Sequence, residues 1–313
     1  MSKATQSKSK NNLEYNFKDI QISSVEYSGE HGSGMTLIYS PSYMPFYISK
    51  RGKDIGGIFL DQINREGFGG TKAICLVGGS GLGLEAVCGV NKSMLEDNKF
   101  KYHDRALGVC CYTLNLLLHK KFIYPDVGLG QYAFNQLNND PIPIGQCGAG
   151  KNTAVAKIGL DWKKHYVKAG QGAFFLKEGK IKVLCIIVLN SVGLVHDKGK
   201  LLHEYKGYSE LKEIKELKKI NELLEGRDKR IPSNTTLTAI ITNVKLDEVE
   251  REKFGEKFHD VVQSMIYPYG TIYDGDTLFL ATTKKVDLED KTQLYKMGKE
   301  CIIKSIHSVF ESK

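Results

Sequence analysis

The segment spanning residues 172–189 places the tightest constraint on the fold. Two β-like runs, residues 172–176 and 181–189, are separated by the turn residues Glu-Gly-Lys, which predicts a β-hairpin. The second run is apolar on both faces, so its strand must lie inside a sheet that is covered on both sides. Such a sheet needs further layers packed against it, and a chain of 313 residues is long enough to supply them.

The remaining pattern mixes short strands with amphipathic helices. β-Like runs occur at residues 35–40, 73–77 and 277–282, and helical spacing of apolar residues predicts helices at 84–97, 105–119, 127–137, 246–265 and 288–310. Strand and helix do not alternate regularly, which favours an α+β fold over a doubly wound parallel sheet. The polar, cationic start of the chain predicts a disordered tail over residues 1–16, followed by a single domain over 17–313.

Composition excludes several classes of protein. The chain is 41% apolar and 26% charged, which is typical of globular proteins and excludes wholesale disorder, collagen and coiled coil. The net charge is +8, but three of the lysines lie in the expected tail and the other positive charges are dispersed without interleaved aromatic residues. This dispersal argues against nucleic acid as a partner.

Membrane and metal sites are not predicted either. The longest apolar stretch, residues 183–189, is far shorter than the ~20 residues that a spanning helix needs. The first thirty residues contain no apolar run of the kind found in secretory signals, so a cytoplasmic location without membrane partners is expected. The seven cysteines have no metal-ligand spacing and fit reduced thiols, so no metal site is expected.

The sequence GQCGAGK at residues 145–151 nearly matches a phosphate-binding loop. Gly145, Gly150 and Lys151 are in register, whereas Asn152 replaces the hydroxyl residue that would hold magnesium. The residues after Lys151 alternate like a strand, so no helix N-terminus faces a phosphate. Glycines at a tight strand entry explain the pattern better, and nucleotide binding is kept as an alternative function.

A second glycine-rich segment, VGGSGLGLEA at residues 77–86, leads from a strand through a turn into a helix. It loosely resembles a dinucleotide-binding turn, but no second strand with an acidic end follows about 20 residues later. Close packing of a helix start, or an anion-accepting turn in a substrate site, is the better interpretation. Gly79 and Ser80 are therefore candidate substrate-binding residues.

Residues 197–230 hold ten Lys/Arg and eight Asp/Glu, with leucine and isoleucine at helical spacing, which predicts a charged helical linker. The polar residues Asn-Thr-Thr at 234–236 follow it and lead into a strand. A threonine can act as a nucleophile when chain cleavage frees its α-amino group, whose pKa of about 8 suits a general base. Acceptors that orient the amine and hydroxyl are also needed, and the Asp-Gly-Asp turn at 274–276 could supply them.

Five segments together resemble one family. GGSGLGLEAVCGV, PIGQCGAGKNTAVAKIG, VLCIIVLNSVG, NTTLTAIITNVKL and DGDTLFLATT occur in the order and spacing of the self-processing N-terminal-nucleophile peptidases: L-aminopeptidase/D-amidase, β-aminopeptidase and the nylon-oligomer hydrolase. The similarity extends over residues 17–285. It implies a four-layer αββα sandwich of the L-aminopeptidase/D-amidase and ornithine acetyltransferase type.

The resemblance also implies a cleavage site and a nucleophile. The cut would fall between Asn234 and Thr235 and give an α chain of residues 1–234 and a β chain of residues 235–313. Thr235 would then be the nucleophile and, through its new α-amino group, the base. Asp274 and Asp276 match the pair that orients this nucleophile.

Two further residues are carried over from the family. Asn190 matches the asparagine that helps to hold the developing oxyanion, and Lys157 matches the active-site lysine. The implied function is an autoprocessed amidohydrolase, an aminopeptidase acting without a cofactor on short peptides, amino-acid amides or related linear amides. Its implied assembly is a homo-oligomer. The alternatives are nucleotide binding through GQCGAGK and an unprocessed, non-catalytic relative.

Overall fold

The computed structural model describes residues 3–53, 55–60, 70–101, 105–113, 121–158, 162–204 and 234–311. Its strands are β1 (Ala4–Gln6), β2 (Asn12–Leu13), β3 (Gln21–Tyr27), β4 (Gly34–Met44), β5 (Phe46–Lys50), β6 (Gly57–Ile58), β7 (Thr71–Val77), β8 (Leu107–Cys110), β9 (Ile142–Pro143), β10 (Ala154–Val155), β11 (Val167–Lys168), β12 (Gly170–Glu178), β13 (Ile181–Asn190), β14 (Leu194–Asp197), β15 (Lys200–Leu201), β16 (Thr235–Val244), β17 (Ile266–Tyr267) and β18 (Thr277–Val286). Its helices are α1 (Ser80–Gly83), α2 (Glu85–Asp97), α3 (Val127–Asn135), α4 (Trp162–His165), α5 (Glu248–Gln263) and α6 (Thr292–Ser308).

Two large sheets pack face to face. One has the strand order β1-β3-β4-β7-β8-β6 and the other the order β12-β13-β16-β18-β5. Apolar side chains from both sheets fill the space between them, including Ile38 and Leu76 from the first and Val188 and Leu237 from the second. Helices α2 and α3 cover the outer face of the first sheet. Helices α5 and α6 cover the outer face of the second sheet, which completes the expected αββα sandwich.

The predicted hairpin is confirmed as β12 and β13, which pair antiparallel along their whole length. Strand β13 lies between β12 and β16, inside the sheet. Leu184, Ile186 and Val188 face the other sheet, whereas Cys185 and Ile187 belong to the core under the helices. Both faces are therefore covered, as the doubly apolar sequence of this strand requires.

The second sheet joins distant parts of the chain. Strand β16 pairs antiparallel with β13 on one side and parallel with β18 on the other. The far side of β18 pairs antiparallel with β5, which comes from the first fifty residues. Strands from the last eighty residues thus lie between strands from the earlier part of the chain.

The predicted disordered tail is wrong for its described residues. Strand β1 extends the first sheet by pairing with β3, and β2 pairs with β9. Ser7 adds a side-chain hydrogen bond of 2.7 Å from its Oγ to the Glu26 carboxylate. Strand addition at a sheet edge depends on backbone N–H and C=O groups, so a polar composition does not prevent it.

Two predicted helices also need correction. Residues 107–110 of the expected 105–119 helix form β8, a buried strand parallel to β7, and residues 114–119 lie outside the described residues. A short apolar run is compatible with a helix or a strand, and pairing with β7 stabilises the strand. The start of the expected 197–230 helix is instead the β14–β15 hairpin, and residues 205–230 lie outside the described residues.

The other predicted helices are confirmed as α2, α3, α5 and α6, within a few residues at their ends. All seven cysteines are free thiols, six of them buried and Cys88 exposed. Within the described ranges, no helix has the length and apolar composition that crossing a bilayer requires.

Candidate active site

Thr235 is the first residue of β16, in the middle of the second sheet, and is only 2% exposed. Its partner in the antiparallel pairing is Asn190, the last residue of β13. Residues directly opposite each other in such a pair point to the same face of the sheet. Val188 and Leu237, each two residues away along its strand, belong to the core between the two sheets. Side chains two residues apart in a strand share a face, so those of Asn190 and Thr235 also face the first sheet.

The side-chain amide of Asn190 has a defined orientation. Its Oδ1 accepts hydrogen bonds from Lys157 Nζ at 3.0 Å and from the Ala154 backbone N–H at 3.2 Å. Two donors at one end of the amide identify that end as the oxygen, so the other end is the NH₂ group. Nδ2 is buried and has no hydrogen-bond partner among the described residues. A buried donor beside the candidate nucleophile suits an oxyanion that forms only during reaction.

Lys157 is fully buried against the end of β13. Its ammonium donates to the backbone oxygen of Asn190 at 2.9 Å as well as to Oδ1. Its backbone N–H donates to Val192 O, which fixes the segment after β10 beside residues 190–193. The structure therefore places the predicted site residue Lys157 beside Asn190, which its ammonium holds in place.

Asp276 holds the backbone next to Thr235. Its Oδ1 accepts from the Thr236 N–H at 2.6 Å, and its Oδ2 accepts from the Gly270 N–H at 3.0 Å. Burial and the neighbouring Asp274 raise the pKa of Asp276 well above its usual range, whereas the two amide donors oppose the rise.

Asp274 connects the same loop to the segment that follows Asn190. Its Oδ2 accepts from the Thr271 hydroxyl at 2.5 Å and from the Thr271 N–H at 3.2 Å, and its Oδ1 accepts from the Val192 N–H at 3.4 Å. The predicted acidic pair is thus brought together with Thr235 and Asn190. In the uncut chain, the two carboxylates accept from backbone N–H groups shortly after those two residues, at Thr236 and Val192.

The peptide bond between Asn234 and Thr235 is held by the Asp-Gly-Asp loop. The Asn234 N–H donates to Tyr273 O at 2.8 Å, and the Asn234 carbonyl oxygen accepts from the Gly275 N–H at 2.7 Å. A carbonyl group that accepts such a bond is polarised toward nucleophilic attack. Sequence reasoning missed this role of Gly275, although its position between two site aspartates was the available signal.

Gly79 and Ser80 lie at the turn into α1. Gly79 adopts the left-handed conformation with φ 81°, and the Ser80 N–H donates to Cys111 O at 2.9 Å. Burial raises the pKa of the Cys111 thiol to about 12, and the Lys157 ammonium partly opposes this rise. Cys111 therefore contacts the turn through its backbone oxygen and lies near Lys157 through its thiol. Among the described residues, neither Gly79 nor Ser80 is hydrogen-bonded to the residues around Thr235.

The GQCGAGK segment does not form a phosphate-binding loop. Gly148–Gly150 is a single 3-10 turn followed by β10, so no helix begins there. The Lys151 ammonium lies 2.8 Å from the Glu26 carboxylate and 2.9 Å from the Tyr27 carbonyl oxygen. Lys151 is thus bound to the end of β3, so the lysine that nucleotide binding would require is already paired within the fold.

Comparison with known proteins shows which family the chain belongs to. No family model matches the chain. The chain is 30% identical over 283 residues to the NylC-analogous protein of Agromyces sp. (strain KY5R), covering 88% of each protein. It is also 30% identical to the 6-aminohexanoate-oligomer endohydrolase of Paenarthrobacter ureafaciens, covering 88% of this chain and 76% of that enzyme.

The chain belongs to the N-terminal-nucleophile aminopeptidase/amidase family. Solved structures agree with this family's fold. The β-aminopeptidase of Burkholderia sp. matches with a TM-score of 0.64 and 12% identity over 97% of this chain and 89% of that chain. The L-aminopeptidase D-Ala-esterase/amidase of Ochrobactrum anthropi, described as a variant of the Ntn-hydrolase fold, matches with a TM-score of 0.64 and 11% identity over 98% and 89%. The four layers described above are therefore the fold of the N-terminal-nucleophile aminopeptidase/amidase family.

Proposed function

We propose that this protein is an amidohydrolase that activates itself by cutting its own chain before Thr235. The observation that carries the proposal is the Asn190 amide. It is oriented by Lys157 and Ala154, lies opposite Thr235 in the sheet, and keeps a buried donor without a partner among the described residues. Family membership supports the same chemistry.

In the self-cleavage step, the Thr235 hydroxyl oxygen attacks the carbonyl carbon of Asn234. The Gly275 N–H, 2.7 Å from the Asn234 oxygen, stabilises the negative charge that develops there. The peptide C–N bond breaks, and the Thr235 nitrogen receives the proton that the hydroxyl loses, which leaves an ester. Water hydrolyses this ester and yields a carboxylate on Asn234 and a free α-amino group and hydroxyl on Thr235.

In the catalytic cycle, the new α-amino group acts as the base. An α-amino group has an ordinary pKa of about 8, which suits it to take the proton of its own hydroxyl as that oxygen attacks the substrate amide. Asn190 Nδ2 then donates to the substrate oxyanion, an interaction typically worth ~3–4 kcal/mol. The leaving amine takes the proton from the base, and water releases the acyl group from Thr235.

The proposed substrates are short peptides, amino-acid amides and related linear amides. Support comes from the relatives, whose names describe hydrolysis of 6-aminohexanoate oligomers and aminopeptidase activity. An assay with amino-acid p-nitroanilides, short peptides and a 6-aminohexanoate dimer compares these classes directly. Release of amine from none of them by the cleaved protein would contradict the proposed substrates.

Intact mass under denaturing conditions tests self-cleavage. The wild type is expected to give two chains, residues 1–234 and 235–313, with Thr235 as a new N-terminus. Thr235→Ala removes the attacking oxygen and is expected to remain whole. Thr238→Ala is the matched control, because it removes a buried hydroxyl from the same strand that takes no part in the reaction.

The contrary result is a wild-type chain that remains whole after long incubation. The free amine would then be absent, and the protein would be the non-catalytic relative that the sequence leaves as an alternative. Cleavage of Thr235→Ala at the wild-type rate would equally contradict the role of Thr235.

A further inference from the structure

A chain of three hydrogen-bonded side chains, two of them buried and one half-buried, lies behind the acidic loop. The Tyr269 hydroxyl is 2.7 Å from His259 Nε2, and His259 Nδ1 is 2.7 Å from Ser49 Oγ. Ser49 belongs to β5, His259 to α5, and Tyr269 to the loop that leads to Asp276. Ser49 and His259 are almost wholly inaccessible to solvent, so the hydrogen bond between them does not exchange readily with water, whereas Tyr269 is half-buried.

The direction of the hydrogen bonds follows from the charge state of the groups. Burial, and secondarily the Arg51 guanidinium, lower the pKa of His259 to about 3, so the ring is neutral with one donor and one acceptor nitrogen. Burial and the two loop aspartates raise the pKa of Tyr269, which keeps its hydroxyl protonated. A protonated phenol beside a neutral ring donates its proton to the acceptor nitrogen, so Tyr269 donates to Nε2 and the Nδ1–H donates to Ser49.

This chain is connected to Asp276 from two sides. Gly270 directly follows Tyr269 and donates its N–H to Asp276 Oδ2 at 3.0 Å. Arg51, two residues after Ser49, donates its backbone N–H to Asp276 O at 2.9 Å. The Arg51 guanidinium lies 2.7 Å from the Glu256 carboxylate and 3.0 Å from the Asp260 carboxylate, both on α5.

We propose that the Ser49–His259–Tyr269 chain is a positioning device for Asp276. It fixes Gly270 against α5 and β5, and Gly270 in turn aims the Asp276 carboxylate at the Thr236 N–H, beside the nucleophile. None of the three side chains takes part in the reaction as described above, so they act only through Asp276. The effect on rate rests on the proposed self-cleavage, whereas the effect on Gly270 does not.

The first experiment measures the rate of self-cleavage by intact mass over time. Tyr269→Phe and His259→Leu are expected to slow cleavage by about 10- to 100-fold, because a small displacement of a reacting group has effects of that size. His259→Gln keeps one donor and one acceptor and is expected to recover most of the rate lost in His259→Leu. Tyr15→Phe, which removes a phenol that donates to Asn138 O and not to His259, is the control and should cleave like the wild type.

The processed variants supply a second measurement. Displacement of Asp276 is expected to lower kcat for an amino-acid amide with KM little changed. Wild-type cleavage by Tyr269→Phe would overturn the proposal, and so would a His259→Gln variant as slow as His259→Leu. Tyr269→Phe removes only one oxygen, so the test stands even where His259→Leu does not fold.

Hydrogen exchange separates this proposal from the proposed function. In the uncut Thr235→Ala background, Tyr269→Phe is expected to speed exchange of the Gly270 amide while the amides of α5 stay protected. Unchanged exchange at Gly270 would overturn the positioning role whether or not the wild type cuts itself. Faster exchange at Gly270 in a protein whose wild type never cleaves would leave positioning intact and defeat the proposed function.

Discussion

At the scale of single residues, the oxygen and the nitrogen of the Asn190 amide have different surroundings. Its oxygen is held by Lys157 and Ala154, and its buried nitrogen has no hydrogen-bond partner in the part of the chain that the structure describes. A substitution that preserves the oxygen and changes the nitrogen therefore isolates the proposed oxyanion contact. Asn190→Asp is such a substitution, since aspartate keeps one oxygen toward Lys157 and places an acceptor where the NH₂ group was.

We expect Asn190→Asp to lower kcat by about 100- to 1000-fold, the size of effect found when one oxyanion donor is removed. KM for an amino-acid amide should change much less, because the contact strengthens only in the transition state. Steady-state kinetics on the processed fraction checks this. An unchanged kcat would remove Asn190 from the mechanism.

Asn243→Asp is the matched control for this variant. Asn243 lies near the far end of β16, where its Oδ1 accepts from the Lys182 N–H and its Nδ2 donates to Lys180 O, both at 2.8 Å. The substitution removes the same kind of donor at a distance from Thr235. It is expected to lower stability without lowering kcat.

The site could be predicted from the sequence only in part. The order of motifs that resemble one family points to Thr235, Asn190 and the acidic pair. The structure brings Asn190 and Thr235 together by pairing β13 with β16, and it brings the acidic pair to them by pairing β16 with β18. Their approach could not be derived from local pattern, because strand pairing joins residues far apart in the chain. Ser49, His259 and Tyr269 were missed because a serine, a histidine and a tyrosine on three separate elements form no motif.

At the scale of elements, prediction succeeded where periodicity was long and failed where it was short. Helices α5 and α6 carry several turns of apolar residues facing the sheet, and both were predicted. Strand β8 has only four residues, all buried, and such a run does not distinguish strand from helix. These residues form a strand because they pair, in parallel, with the neighbouring strand β7.

The contact between α6 and the second sheet depends on Gly172. A Cβ at this position would lie 1.9 Å from the Ser305 backbone oxygen, which cannot move without the helix. We expect Gly172→Ala to lower the free energy of unfolding by about 1–3 kcal/mol, as overpacking does. Urea unfolding of the uncut Thr235→Ala protein measures it. Gly81→Ala, where a Cβ would meet nothing within 4 Å, is the control, and an equal loss in both variants would contradict the packing argument.

Helix α5 also makes stability depend on pH through His259. The pKa of this ring falls from 6.5 to about 3 on folding, so between these values the unfolded chain binds a proton that the native protein does not. The contribution to stability is therefore complete above pH ~6.5 and is lost as the pH falls toward 3.

Comparison of Thr235→Ala with and without His259→Gln tests this dependence. The variant lacks the titrating ring, so its stability should fall less than that of the parent between pH 7 and pH 5. Urea midpoints at several pH values, with equal m-values, measure the difference. Parallel loss of stability in both proteins would show that His259 does not titrate in this way.

At the scale of the whole molecule, the amino-terminal segment is part of the fold. Strand β1 adds to the first sheet, and the Ser7 hydroxyl accepts from the Gly148 N–H at 2.9 Å while donating to Glu26. The polar composition predicts disorder because few of these side chains can be buried, whereas backbone hydrogen bonds hold the segment in place. The sheet edge with which it pairs is formed by distant residues, so the local sequence does not reveal it.

Deletion of residues 1–13 is expected to lower the melting temperature, by about 2–4 °C for each kcal/mol of pairing lost. Ser7→Ala, which removes one side chain from the same segment, should lower it less. Thermal unfolding followed by circular dichroism at equal protein concentration measures both. A deletion that leaves the melting temperature unchanged would show that β1 and β2 contribute nothing to stability.

The order of strands in the second sheet determines whether a cleaved protein could refold after it unfolds. A cut before Thr235 would leave β16 and β18 as part of the short chain, still lying between β13 and β5 of the long chain. Neither chain could leave without breaking the sheet along two edges. Folding, which began as the closure of one chain on itself, could be repeated after denaturation only as a meeting of two chains, at a rate that depends on their concentration. Self-cleavage would thus make refolding depend on the association of two chains. The lifetime of the cleaved protein would then be set by its rate of unfolding.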